Sequence, residues 1–185
     1  MIPIIVLLAV LLVIVGWFVG AYNKLVRLRN QVKNAWHQID VQLKRRYDLI
    51  PNLVEVVKGY MAHEQETLTK VIEARNMAMN AKGPEAQAKA ENFLTESLKS
   101  LFAVVERYPD LKANQNAMAL QEELTGTENK ISFARQFFND SVMSYNNTIQ
   151  TIPSNIIASM FNFTQEAYFE AAEADRAVPS ASLKR

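Results

Sequence analysis

The first 23 residues carry no charged side chain. Residues 4–15 are all Ile, Leu, Val or Ala, and Gly16-Trp17-Phe18-Val19-Gly20-Ala21-Tyr22 extends the run. As a helix, about 20 residues at a rise of 1.5 Å span the roughly 30 Å hydrocarbon core of a bilayer. Trp17 and Tyr22 sit toward one end, where amphipathic rings favour the headgroup zone. A cleaved signal peptide needs a basic leading region and a small-x-small cleavage site. Met1-Ile2-Pro3 supplies no basic residue, and no clear cleavage site follows. Residues 1–22 are therefore expected to remain as a transmembrane anchor.

Charge sets the expected orientation. Lys24, Arg27, Arg29 and Lys33 follow the run directly, within the window where positive charge decides which end stays inside. This predicts an external N-terminus and a cytoplasmic remainder. The same four groups form a membrane-proximal basic cluster suited to anionic lipid.

Composition excludes several chemistries. The chain has no Cys, which removes disulfides, Cys-ligated metals, thiol nucleophiles and a lipidated cysteine. It has 5 Gly and no Gly-rich phosphate loop. His37 and His63 are its 2 histidines, and neither lies in an Glu-x-x-His or His-Glu-x-x-His pattern. No cofactor is expected.

After the anchor, apolar residues recur at steps of three and four, and no strand-like alternation appears. Leu25, Leu28, Val32, Trp36 or Ala35, Ile39 and Leu43 form one stripe over about 23–47. A second helix is expected over about 49–81, capped by Asp48 with Pro51 in its first turn. Its core face is read as Leu53, Val57, Tyr60, Leu68, Val71 and Ala78. Gly83-Pro84 reads as a helix stop followed at once by a helix start. The third helix, about 84–106, carries Ala90, Phe93, Leu94, Leu98, Leu101 and Val105. The fourth, about 113–150, carries Ala117, Leu120, Leu124, Ile131, Ala134, Phe138, Val142, Tyr145 and Ile149. The expected fold is all-α: an N-terminal transmembrane helix continuing into an antiparallel four-helix bundle with a short helical C-terminal tail. The boundaries are an anchor over 1–22, a bundle over 23–152, an apolar tail over 153–178 docked on the bundle or a neighbour, and a disordered end over 179–185. Thr164 is expected to cap a second short helical turn in the tail.

Several segments carry a family likeness: Tyr22-Asn23-Lys24-Leu25-Val26-Arg27-Leu28-Arg29-Asn30, Ala35-Trp36-His37-Gln38-Ile39-Asp40 through Arg46, and Asp48-Leu49-Ile50-Pro51-Asn52-Leu53-Val54. Tyr108-Pro109-Asp110-Leu111-Lys112-Ala113-Asn114, Leu120-Gln121-Glu122-Glu123-Leu124-Thr125, Tyr145-Asn146 and the region from Phe161 to Glu170 continue it. Together these resemble the LemA family over nearly the whole chain. The resemblance implies a bacterial membrane-anchored helical bundle with no established catalytic activity, here in the inner membrane with a single span. Some relatives carry a lipobox cysteine just before the Tyr-Asn, implying an external bundle. This chain has Gly20-Ala21 there, which favours a true anchor and leaves the family's sidedness in conflict with the charge-based orientation.

Candidate chemistry concentrates in one set of charged positions. Glu64 and Arg75 continue the apolar period of the second helix and so point toward the core stripe. Two readings stand: a buried polar network that fixes helix register, or long side chains at the stripe edge reaching water. Glu122, Glu123 and Glu128 lie close together on the fourth helix and are expected to pair with Arg45, Arg46 or Arg75. A hydrolytic or metal site near these carboxylates and His63 is the alternative. Residues 23–46 hold seven basic groups against Asp40 alone. Lipid attraction near the membrane and internal pairing further along account for them without nucleic acid. Ile156, Ile157, Met160, Phe161, Phe163, Tyr168 and Phe169 make the tail a candidate interface, with a homo-oligomer or another membrane protein as partner. The expected function is a non-catalytic scaffold or adaptor for envelope proteins. A hydrolase or metal-binding bundle and a membrane-remodelling protein are the alternatives, and no small-molecule substrate is identified.

Overall fold

The computed structural model describes residues 2–61 and 64–169. Among them there are six helices and no strand: α1 (Ile2–Lys58), α2 (Gln65–Asn80), α3 (Pro84–Val105), α4 (Pro109–Lys112), α5 (Gln115–Gln150) and α6 (Ser154–Met160). The apolar start of α1 is long and apolar enough to cross a membrane, and none of that stretch is buried by protein. The expected disordered end, 179–185, lies outside the described residues, as does His63.

The chain divides into two compact units. One comprises Met1–Asp40 and Phe133–Ala167, the other Val41–Ser132 and Tyr168–Arg185. In the first, Leu25, Val32, Ala35 and Ile39 of α1 are buried, as are Ala134, Phe138, Val142, Tyr145 and Ile149 of α5. Trp36 meets Phe138 edge-on at 5.3 Å between ring centroids. In the second, α1, α2, α3 and α5 form a four-helix bundle. Its core holds Leu43, Ile50, Leu53 and Val57, then Leu68, Val71 and Ala78, then Leu94, Leu98 and Leu101, then Leu124 and Ile131.

The helix start at Pro84 forms as the sequence predicts, but α2 already ends at Asn80 with Ala81 as its C-cap, so Gly83 serves as the N-cap of α3 and not as the stop of α2. Gly83 adopts φ +85°, a conformation that favours a residue without Cβ, and Pro84 opens α3. Asn114 starts α5: its Oδ1 accepts from the backbone N–H groups of Asn116 at 3.0 Å and Ala117 at 3.1 Å.

The first boundary differs from expectation. No helix starts at Asp48; α1 runs through Pro51 and ends at Lys58. An internal proline has no N–H to give the carbonyl four residues earlier, here that of Tyr47. Arg75 fills the gap from α2, its Nε donating to the Tyr47 carbonyl at 2.8 Å. Two core assignments also fail. Tyr60 is exposed, its hydroxyl accepting from Asn114 Nδ2 at 3.0 Å, and Met61 is buried at the helix end instead. Phe93 is exposed because the inward face of α3 at that height belongs to Glu91 and Leu94.

Arg75→Met should therefore destabilise the protein by about 1–3 kcal/mol, the cost of an unsatisfied buried carbonyl. Pro51→Ala restores the missing N–H, so the double variant should recover most of that loss. A thermal melt of the four proteins in detergent measures the cycle; equal losses in the presence and absence of Pro51 would contradict this pairing.

Candidate functional site

The second unit holds a buried polar cluster built on adjacent residues of α1. Arg46 is 1% exposed and Tyr47 is buried beside it. Arg46 extends from α1 to carboxylates on two other helices. Its Nη1 lies 3.2 Å from Glu91 Oε2 on α3 and 2.8 Å from Glu128 Oε2 on α5. Its Nη2 donates to Thr95 Oγ1 at 2.7 Å, and that hydroxyl lies 3.4 Å from Glu128 Oε1. Arginine suits this position because its planar guanidinium offers several donors at fixed angles.

Glu91 is fully buried and is met on both oxygens. Oε2 takes Arg46, while Oε1 accepts from the Tyr47 hydroxyl and from Gln87 Nε2 at 3.0 Å. Gln87 Nε2 also lies 2.8 Å from Tyr47 Oη and 3.0 Å from the Ala78 carbonyl. Gln87, Glu91 and Thr95 sit at i, i+4 and i+8, so they line one face of α3. Burial, and then the neighbouring Glu91 carboxylate, push the Tyr47 phenol well above its ordinary range. Tyr47 is thus a proton donor that holds its proton, not an acid or base at neutral pH.

The other predicted charges fall around this cluster. Arg45 Nη2 meets Glu123 Oε1 at 2.6 Å on a half-exposed surface. Arg75 is taken by the Tyr47 carbonyl. Glu64 Oε1 faces Tyr108 Oη at 3.4 Å and Arg107 Nη2 at 3.7 Å, so it does not pair with Arg75. Glu122 is exposed at an apolar groove lined by Leu53, Val57 and Ala117. Among the described residues, no group of three metal-ligating side chains gathers. Glu91, Tyr47, Gln87 and Thr95 were not singled out from the sequence. The available signal was the placement of Gln87 and Glu91 on the inward stripe of α3 with Leu94 and Leu98.

In the first unit, Lys24, Arg27, Arg29 and Lys33 are all exposed on α1. The tail does not form a second helical turn at Thr164. Asn162, at φ +54°, closes α6, and residues 163–169 are non-helical. The physical reason lies on α5. Asn146 Nδ2 donates to the Glu166 carbonyl at 2.9 Å and Asn146 Oδ1 accepts from the Glu166 N–H at 3.0 Å. The buried Tyr145 hydroxyl donates to the Thr164 carbonyl at 2.9 Å. These bonds occupy the backbone groups that a helical turn would need. Within the tail, Ile157 and Phe169 are buried and Phe163 is half-buried, whereas Ile156, Met160, Phe161 and Tyr168 are exposed.

These features define an all-α bundle protein with an apolar N-terminal helix and a largely buried polar cluster. The chain belongs to the LemA family, whose model matches residues 35–182. It is similar to "Protein LemA" of Metamycoplasma hominis, 28% identical over 86% of this chain and 73% of that protein. It is also similar to magnetosome proteins of two organisms, MamQ 2 of Paramagnetospirillum magneticum and MamQ of Magnetospirillum gryphiswaldense. Each is 22% identical over 80% of this chain, which spans 64% of their length.

Two outcomes are expected of the cluster. Arg46→Ala leaves Glu91 buried without its counter-charge and should cost about 3–5 kcal/mol. Tyr47 holds its proton more tightly folded than unfolded, so its contribution is complete below the ordinary phenol value of 10.0 and is lost as pH rises beyond it. Chemical denaturation through the alkaline range should show stability falling there, and Tyr47→Phe should flatten that slope. A slope unchanged in Tyr47→Phe would contradict the assignment.

Proposed function

We propose that this chain is a membrane-anchored, non-catalytic scaffold that holds envelope proteins, or further copies of itself, at a bacterial inner membrane. The observation that carries the proposal is the mutual pairing within the polar cluster. Arg46, Tyr47, Gln87, Glu91 and Glu128 satisfy one another. A catalytic acid or base must instead present its proton-transferring atom to a substrate. In Glu91, the most buried carboxylate, both oxygens face protein partners. The uncharged start of α1, followed by Lys24, Arg27, Arg29 and Lys33, supports a single span with the bundle on the cytoplasmic side.

The competing reading is a hydrolytic or metal site using Glu122, Glu123, Glu128 and His63. Glu123 and Glu128 are drawn into separate ion pairs with Arg45 and Arg46, which supports the structural reading of both.

Cross-linking in native membranes followed by mass spectrometry tests the scaffold directly. Defined protein adducts, including self-adducts, are expected from the full chain. Stoichiometric bound metal, or a hydrolytic activity abolished by Glu122→Gln with the fold intact, would contradict the proposal. Sidedness is tested separately. Because the chain has no Cys, Lys82→Cys provides a unique thiol in the exposed α2–α3 turn. In intact cells it should resist an impermeant thiol reagent; ready labelling would place the bundle outside.

A further inference from the structure

We propose that α6 and its flanks, residues 152–161, lie in the membrane–water interface beside the span, as a short non-spanning element. This inference rests on the reading of α1 as a membrane anchor.

Three observations in the first unit converge. The first is position. Phe161 packs on α1 with ring centroids 4.8 Å from Tyr22 and 6.0 Å from Phe18, and Phe163 lies 5.9 Å from Tyr22. These contacts put the end of α6 against the last turns of the uncharged run, the level at which aromatic rings sit in headgroups. Trp17, on the same turns, is 44% exposed.

The second is the direction of the apolar face. Ile156 and Met160 stand at i and i+4 on α6 and are 58% and 63% exposed, and Ile152, in the turn before the helix, is 83% exposed. Ile157 and Ala158, on the other side of α6, are 1% and 3% exposed. The helix therefore has an inner apolar side packed on protein and an outer apolar side facing away from it. A water-facing helix usually carries charge on its outer side, as α2 does with the exposed Glu66–Lys70 ion pair, whereas α6 carries none.

The third is charge. From Ser141 to Gln165 there is no charged side chain. An element entering an interface must shed charge around its inserted face, while Ser154, Asn155 and Ser159 supply polar groups that tolerate headgroups and water. The outer face is continuous with the apolar surface of α1 through the Phe161–Phe18 and Phe161–Tyr22 contacts. Lipid is the occupant because the surface that it extends is itself the lipid-facing surface. A second copy would have to cover α6 at the point where the span enters the bilayer.

Placing these residues in lipid also assigns a role to the bonds that hold the tail. The Asn146–Glu166 and Tyr145–Thr164 hydrogen bonds fasten the chain after α6, so α6 is presented as a fixed plate and not as a loose end.

The test uses the full chain reconstituted in mixed phosphatidylcholine and phosphatidylglycerol vesicles. Three single-cysteine variants, Ile156→Cys, Lys82→Cys and Leu12→Cys, carry an environment-sensitive fluorophore. Lipids with a nitroxide either near the headgroup or deep in the acyl chain report depth. The label at Ile156→Cys should be quenched several-fold more strongly than that at Lys82→Cys, and more by the shallow nitroxide than by the deep one. Leu12→Cys should show the opposite depth preference. If Leu12→Cys is quenched while Ile156→Cys matches Lys82→Cys, the anchor holds and the interfacial element is refuted. If Ile156→Cys is shielded from lipid but forms disulfide-linked dimers, a second copy covers α6 and the proposal is equally refuted. If Leu12→Cys is not quenched, the anchor reading fails and takes this inference with it. Ile156→Asp, which keeps the inner face intact, provides an independent check. It should release a Met160→Cys label from the shallow quencher without lowering the melting temperature, and continued strong quenching would count against insertion.

Discussion

A guanidinium buried among helices tolerates few arrangements. Arg46 must keep its charge, so the bundle must bring carboxylates to it, and Glu91 on α3 and Glu128 on α5 do so. A slip of either helix by one turn, about 5.4 Å, would carry its carboxylate out of reach. The cluster therefore sets the height of α3 and α5 against α1 in a way that an apolar stripe does not. Leucines at successive turns are nearly interchangeable, whereas one Arg with two acids is not. Net stabilisation is a separate matter, since buried ion pairs often repay little more than their desolvation.

The same logic explains why α1 runs through a proline. Pro51 opens one hole in the helix ladder at the Tyr47 carbonyl, and the Arg75 side chain closes it from α2. Arg75 thus ties α2 to the residue whose hydroxyl reaches Glu91 on α3. Arg46 and Tyr47 of one helix engage three others through polar groups, with the Leu53, Val57, Leu68 and Leu94 core packed between them.

Much of this was legible in the sequence. The apolar run, the period of three and four, and the Gly83-Pro84 punctuation identify an all-α chain and most of its core. Arg46 and Glu128 stood out as charges in helical stretches, and Arg75 as a charge on an inward stripe. Other features were hidden because their signals are non-local. A proline reads as a helix start unless the partner for its orphaned carbonyl is known, and that partner lies on another helix. Glu91 is ordinary in sequence, and only its neighbours mark it as buried. The tail read as two helical turns because Thr164 is a fair cap, whereas Asn146, on α5, takes both backbone groups of Glu166.

On this account the polar cluster is a structural device, as the proposed scaffold role requires. The most direct measurement replaces Arg46, Tyr47, Glu91 and Glu128 together with Met, Phe, Met and Gln, removing the charges while keeping side-chain bulk. The variant's cross-linked partners in native membranes are then compared with those of the unaltered chain, with a thermal melt to establish folding. A folded variant with the same partners is the predicted result. A folded variant that loses every partner, or loses an activity the unaltered chain possesses, would show that these residues perform the function and contradict the account.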